Sequence, residues 1–564
     1  METSIKDRLN HQFNYPTHKV IKKQRKSHIV SCPPTSLLQK QSNLINFVLF
    51  TKTQNPFENC VMRFSAVCFV LLFLVVVLEV EETTCFSLER EKKMSEFRNK
   101  VDQKLATQLP PMASPPVSSE TKMRGRVLYV SEYGADPTGS IESSDAILKA
   151  VEDAFALQKG FQLVRGVNDL GGVVIDLQGG NYKISKPITF PSSGGANVLV
   201  SISFLIFLIS LPSIYFNIYS MLSKVKGGTL RASDTFPIDR HLVELWSTKS
   251  GKLESKKFAH GDNVIYYEDI TLRDILFDSS FRGGGIFIVD SARIRINNCF
   301  FLHFTTEGIL VQQGHETFIS SCFLGQHSTV GGDKGEKDFS GVAIDLASND
   351  NAITDVAIFS AAIGVVLRGQ ANILTGVHCY NKATYFGGIG ILVKLPGNSL
   401  TRIDNCYLDY TGIVMEDPVQ VHVTNGLFLG DANIVLKSIK GQILGLNIVD
   451  NMFNGDPNKK VPIVNLDGQF SNIDQVVIDR NNVNGMSLRS TVGKLTTSGN
   501  GTKWVANFNS VLVFPNRIGH FQYSFYAQEE PKFVALSVTN VLDNVIVVES
   551  EKEAKGVVSF VVEQ

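Results

Sequence analysis

Several charged residues recur at fixed offsets from a repeated glycine, and their types suit proton-transfer chemistry. Glu307 stands just before Gly308, and Asp338 stands three residues before Gly341. Four residues after successive glycines come Gln312, Asp345, Arg368, Lys394 and Glu416. One protonated carboxylic acid and one ionised carboxylate in a common groove give and take a proton across a reacting bond. Asp345, Asp338 and Glu307 are therefore the candidate catalytic residues. The ordinary alternative for the five-residue row is a solvated ladder of compensating charges. Of the histidines, His303 and His327 follow a repeated Cys-Phe pattern, His315 falls after a strand, and His378 lies farther on. No spacing of Cys, His, Asp or Glu resembles a metal-ligand set, so neither metal nor cofactor is expected.

The glycines that frame these residues open a series of short strands. Gly285-Ile286-Phe287-Ile288, Gly308-Ile309-Leu310-Val311, Gly341-Val342-Ala343-Ile344, Gly364-Val365-Val366-Leu367, Gly390-Ile391-Leu392-Val393 and Gly412-Ile413-Val414-Met415 align one under another. Their glycines are separated by 23, 33, 23, 26 and 22 residues. A second pattern repeats as Ile296-Asn297-Asn298-Cys299-Phe300, Ile319-Ser320-Ser321-Cys322-Phe323 and Ile403-Asp404-Asn405-Cys406-Tyr407. Repeats of this period indicate a solenoid. The leucine frame and helical stretch of a leucine-rich repeat are missing, whereas β-branched strands between Gly and Asn fit a parallel β-helix. The fold class is thus all-β, a right-handed parallel β-helix over residues 127–490. Like residues stack about 4.8 Å apart in such a fold, and Asn at a turn pairs with its counterpart on the next coil. Period-2 alternation places the charged row outside one sheet. A helix at 145–157, with Ile147, Ala150, Val151, Ala154 and Phe155 on one face and Ser143 or Ser144 as its cap, is expected to cover the N-terminal end. Strands near 511–514, 534–538 and 557–562 predict a small β-rich cap over 491–564.

The chain has 564 residues, 43% hydrophobic and 19% charged, with 54 basic and 54 acidic side chains. This balance offers no basic stripe for nucleic acid. Residues 66–78 form an apolar run after Met62 and Arg63 and before Glu79, Glu81 and Glu82. It is short for a membrane span, which needs about 20 residues, but suits the core of a signal peptide. Residues 62–87 are accordingly assigned to an export signal, 1–61 to a mis-annotated extension and 88–126 to a linker. The apolar stretch 198–222 interrupts the domain and is read as a foreign insertion, in keeping with a translated intron. The mature protein is expected to be secreted, monomeric and without stable membrane association. Cys299, Cys322, Cys379 and Cys406 fall in the coils, where they pack inward as small hydrophobes; Cys299–Cys322 is a candidate bridge. Asn500-Gly501-Thr502 is a glycosylation sequon.

Tyr133-Gly134-Ala135-Asp136-Pro137-Thr138-Gly139, Ser144-Asp145-Ala146 and the strand Gly172-Val173-Val174-Ile175 resemble the opening of the pectate-lyase-like superfamily. With the later coils, the chain resembles the plant quartet-type polygalacturonases, which are similar to glycoside hydrolase family 28. The resemblance implies a secreted enzyme hydrolysing the α-1,4 bonds of galacturonan in cell-wall pectin. It further implies that Arg368 and Lys394, with Gln312 beside them, bind the carboxylates of the polymer. Family 28 carries Asn-Thr-Asp, Asp-Asp, Gly-His-Gly and Arg-Ile-Lys on four coils. Here Thr306-Glu307 and Asp338 supply acids, Ala362-Ile363 stand where the histidine belongs, and Lys394 keeps the lysine's place while Leu392 holds the arginine's. An inverting pair needs carboxyls about 6.5–9.5 Å apart, hence a lateral offset such as Asp338 or Glu307 with Asp345. Two alternatives stand beside hydrolysis: a pectate lyase using calcium and an arginine base, and a pectin-binding wall protein whose catalysis has lapsed.

Overall fold

The computed structural model describes residues 126–157, 162–164, 166–201, 228–248, 264–326, 340–381, 387–395, 397–528 and 533–564. All of them belong to the unit Glu120–Gln564. Its body is a parallel β-helix whose coils each contribute up to three strands. One row of strands runs through His241–Leu245, Gly284–Val289, Glu307–His315, Val342–Asn349, Ile363–Leu367, Ile389–Val393 and Gly412–Glu416, and we call its surface the site face. A second row includes Arg295–Asn297, Phe318–Ser320 and Ala352–Thr354. The third is an eleven-stranded sheet that includes Leu276–Asp278, Phe300–Leu302, Phe323–Gly325 and Ala357–Phe359.

The repeats follow from turn chemistry and packing. Between the second and third rows the chain turns on a single left-handed residue: Asp274, Asn298, Ser321, Asp355, Gly376 and Asn405 all have φ between 51° and 67°. Asn, Asp and Gly tolerate this region best. The next residue points inward, and Ile275, Cys299, Cys322, Val356, Val377 and Cys406 are all buried. The four coil cysteines are free thiols, so Cys299 and Cys322 pack without a bridge. Inner rows stack as predicted, with Phe277 on Phe301 at 4.7 Å and Phe428 on Phe453 at 4.3 Å. Buried Asn351 donates to Asn372 Oδ1 at 2.8 Å, the expected rung between coils.

At the start of the site face two consecutive residues enter the core, as Leu242 with Val243 and Ala343 with Ile344 show. The first of these positions explains the repeated glycine. A Cβ on Gly285, Gly308, Gly364 or Gly390 would lie 2.6–2.9 Å from side-chain atoms of Phe301, Leu324, Cys379 or Leu408. One coil departs from the spacing. Gly341 is not aligned with Gly308; Glu307 pairs with Val342 and Ile309 with Ile344, so Ala343 holds the glycine's place. Gly341 instead sits in the preceding turn at φ 74°.

The helix α1, Ser144–Ala156, buries Ile147, Ala150, Val151, Ala154 and Phe155. Ser143 stands at its N-cap, but no side chain of Ser143 caps it. The Ser143 hydroxyl instead accepts from the Asp136 backbone, and Glu142 receives the Ser144 N–H at 2.9 Å. Residues 198–201, grouped by hydropathy with the apolar stretch, complete the strand Gly195–Ser201 and pair with Val173–Asp176 and with Ile270–Leu272. The rest of that stretch, the leader and the extension lie outside the described residues. Among the described residues no helix is long and apolar enough to cross a membrane. Beyond the coils, Val492–Asn507, His520–Ala527, Leu536–Asn540 and Val545–Glu563 form an antiparallel sheet with its own core around Trp504, Phe508 and Phe560. The strand expected at 511–514 is a turn, with Leu512 making one bridge to Ser490.

Candidate active site

Register on the site face sorts the outward side chains into three rows. The first, at the strand entrances, contains His241, Gly284, Glu307, Val342 and Ile363. Glu244, Phe287, Leu310, Asp345 and Val366 make the second. The third holds Gln312, Ala347, Arg368, Lys394, Glu416 and Lys437, with Gln312 opposite Ala347. Asp345 is thus not the neighbour of Gln312 and Arg368 in one row. The misplaced Gly341 shifts it by two positions, opposite Leu310 and Val366.

Asp345 and Arg368 nevertheless meet across the rows. The guanidinium binds both carboxylate oxygens, with Nε to Oδ1 at 2.8 Å and Nη2 to Oδ2 at 2.6 Å. Asp345 is 6% exposed and Arg368 39%. The carboxylate acts as a buried anchor, leaving the outer edge of the guanidinium facing solvent. Lys394 is exposed on the next coil, Gln312 is exposed two coils before, and Glu416 is matched by Lys437 at 3.4 Å. The third row therefore keeps a cationic middle between a neutral end and a compensated end.

Glu307 is half-buried and lies 3.4 Å from Nε2 of His241, a histidine absent from the sequence-based candidates. His241 occupies the coil two below, and Gly284 between them has no side chain to separate them. The neighbouring imidazole holds the Glu307 carboxyl below the usual glutamate range, against the opposing effect of burial and with help from the more distant Arg368. The His241 ring stacks on Phe287 at 5.5 Å. A second carboxylate missed in the sequence, Glu244, is 2% exposed and accepts from Arg240, the His241 backbone and Trp246. Burial works to raise its pKa, but these donors bring it below the ordinary value. Glu307 and Asp345 are offset by one coil and three residues, about 11 Å between Cα atoms from strand geometry.

Other candidates fall elsewhere. Asp338 lies outside the described residues, as does His327. His303 pairs with Asp278 at 2.6 Å and His378 stacks on Tyr407 at 4.1 Å, both on the third sheet or its turns. His315 ends its strand beside Glu316 at 3.3 Å. Among the described residues no cluster of three or more His, Cys, Asp or Glu is disposed to hold a metal. His241 was legible only as part of the alternating stretch Arg240-His241-Leu242-Val243-Glu244-Leu245. That strand has Leu242 where later coils have glycine, so a search on the glycine frame starts one coil too late.

The fold and site define the chain as a parallel β-helix protein with charged rows on one outer sheet. No family model matches the chain. It is 50% identical over 461 residues to polygalacturonase QRT3 of Arabidopsis thaliana, covering 81% of this chain and 88% of the relative. The chain belongs to the family of that polygalacturonase. Solved structures resembling it include the A-module of mannuronan C-5 epimerase AlgE4 from Azotobacter vinelandii (13% identity, 63% of this chain and 96% of that one, TM-score 0.37). The Pseudomonas phage phi297 tailspike gp61 is another (9% identity, 78% and 99%, TM-score 0.34).

Proposed function

We propose that the chain is a secreted glycoside hydrolase that cleaves the α-1,4 bonds of galacturonan in plant cell walls, exported by residues 62–87. The observation that carries the chemistry is Glu307, a partly exposed carboxylate at the rim of the site face, held below the usual pKa by His241. Hydrolysis requires one carboxylate ionised to activate water and another protonated to release the leaving oxygen. Glu307 suits the first role. Asp338, in the longest coil, is the proposed acid. Asp345 serves in this reading to fix Arg368, which with Lys394 and Gln312 receives the uronate carboxylates and hydroxyls.

One observation favours the binding-protein alternative: both Asp345 oxygens are engaged by Arg368, so that carboxylate is not free for proton transfer. Purified full-length protein incubated with de-esterified galacturonan decides between the readings. Release of reducing ends without unsaturated product supports the hydrolase. Ultraviolet absorbance that is lost with a chelator points to a lyase. Binding with neither product points to a lapsed enzyme.

A further inference from the structure

We infer that His241 is the positioning residue of Glu307, reaching it across a coil that Gly284 leaves empty. The inference rests on the reading of Glu307 as the ionised catalytic carboxylate. Adjacent coils are about 4.8 Å apart, so residues two coils apart are separated by about 10 Å and do not ordinarily touch. Here the intervening position is Gly284. A Cβ there would stand 2.3 Å from His241 Cδ2, 2.6 Å from its Nε2 and 2.4 Å from the Glu307 carbonyl oxygen. The gap is filled by the imidazole itself. Unlike Gly285 and Gly308, whose Cβ would meet the core, Gly284 makes room for a contact between outward side chains.

A second observation is independent of that spacing. His241 is 6% exposed, and its Nε2 is buried without a hydrogen-bond partner. A buried polar atom of this kind costs stability unless it has another use. The nearest Glu307 carboxylate oxygen lies 3.4 Å from it, an ion-pair distance. The ring is held from behind by Phe287, and its backbone N–H donates to Glu244 Oε1 at 3.1 Å. Glu307 is the more exposed member at 27%, so substrate or water reaches the carboxylate and not the imidazole. The charged groups around the pair are Glu244 with Arg240 on the His241 strand, and Arg368 with Asp345 on the coils above. Each of these flanking carboxylates has its own arginine. The imidazole lies directly against Glu307, with Arg368 farther off, and it is the first cause of the lowered carboxyl pKa.

The test uses full-length protein with His241→Asn, His241→Phe and Glu307→Gln. The first readout is the acid limb of kcat/KM on de-esterified galacturonan. The second, which needs no activity, is the isotope-edited infrared carboxylate band that Glu307→Gln removes, titrated with pH. His241→Asn is expected to move both midpoints up by roughly one pH unit, an opposite charge being worth about that much at this distance. His241→Phe restores the stacking on Phe287 without a ring nitrogen, and its midpoints are expected to stay shifted like those of Asn. Unmoved midpoints in His241→Asn, or wild-type midpoints in His241→Phe, overturn the inference. Should wild-type protein release no product, or Glu307→Gln keep full activity, the catalytic reading fails separately, and the infrared titration still decides whether His241 sets the ionisation of Glu307.

Discussion

The Asp345–Arg368 pair makes a quantitative prediction, because one partner is buried and the other is half in solvent. Replacing Arg368 by Met keeps the aliphatic stem but strands a carboxylate that is 6% exposed. Breaking a fully buried pair costs about 3–5 kcal/mol, and breaking an exposed one about 0–1 kcal/mol. With the Arg368 side chain 39% exposed, water partly replaces it, and the expected loss is about 2 kcal/mol. Asp345→Asn keeps the shape and removes the charge, for about 1 kcal/mol. In the double variant the stranded charge is gone, so the two losses should fail to add by about 1–2 kcal/mol. Urea unfolding followed by far-ultraviolet circular dichroism measures all four corners, provided that m stays constant. In the same set, Asp345→Asn should raise KM for de-esterified galacturonan more than it lowers kcat, because it loosens a binding group. Additivity within about 0.5 kcal/mol would refute the anchor. A fall in kcat with KM unchanged would instead return Asp345 to the chemistry.

Asn351→Ala removes the acceptor of the Thr317 N–H and the donor to Asn372, both buried, and should cost about 2–4 kcal/mol in the same urea assay. Glu244 has a folded pKa below its ordinary value, so its contribution to stability is full above the unfolded value of about 4.3 and is lost as pH falls through the lower, folded value. Glu244→Gln should therefore flatten the acid side of a plot of urea midpoint against pH; an unchanged slope counts against the Arg240–Glu244 cluster. Cys299, Cys322, Cys379 and Cys406 are buried thiols. Peptide mapping after alkylation should find them modified only when the protein is unfolded first; a Cys299–Cys322 disulfide peptide would contradict the packing.

The coil architecture was legible because it is enforced at every turn by the same sterics. A left-handed turn residue, an inward residue after it and a glycine where the sheets approach recur whatever lies outside. The outward rows carry no such constraint, and there reading by register went astray. Gly341 looks like the next glycine of the series, yet the core position is filled by Ala343, two residues farther on. That slip put Asp345 in the row of Arg368, whereas it reaches Arg368 diagonally from the row beside it. Asp338 belongs to the same lengthened coil, where the repeat gives no register at all. His241 was hidden for a different reason: its coil has Leu242 in the glycine position, so the motif that marks the other coils does not mark this one.

Two adjacent glycines show how this scaffold separates folding from chemistry. Gly285 turns toward the interior, where a Cβ would meet Phe301 at 2.6 Å, and its counterparts repeat because every coil has the same corner to close. Gly284, one residue earlier, faces outward and answers to a single pair, His241 below and Glu307 above. A solenoid stacks like upon like, so a contact between second neighbours requires a break in an outer row. Such a break costs the core nothing, since the inner rows on either side continue through Val243, Ile286 and Ile309. The place to look for function on this face is therefore where an outward row loses its side chain, not where the repeat is most regular.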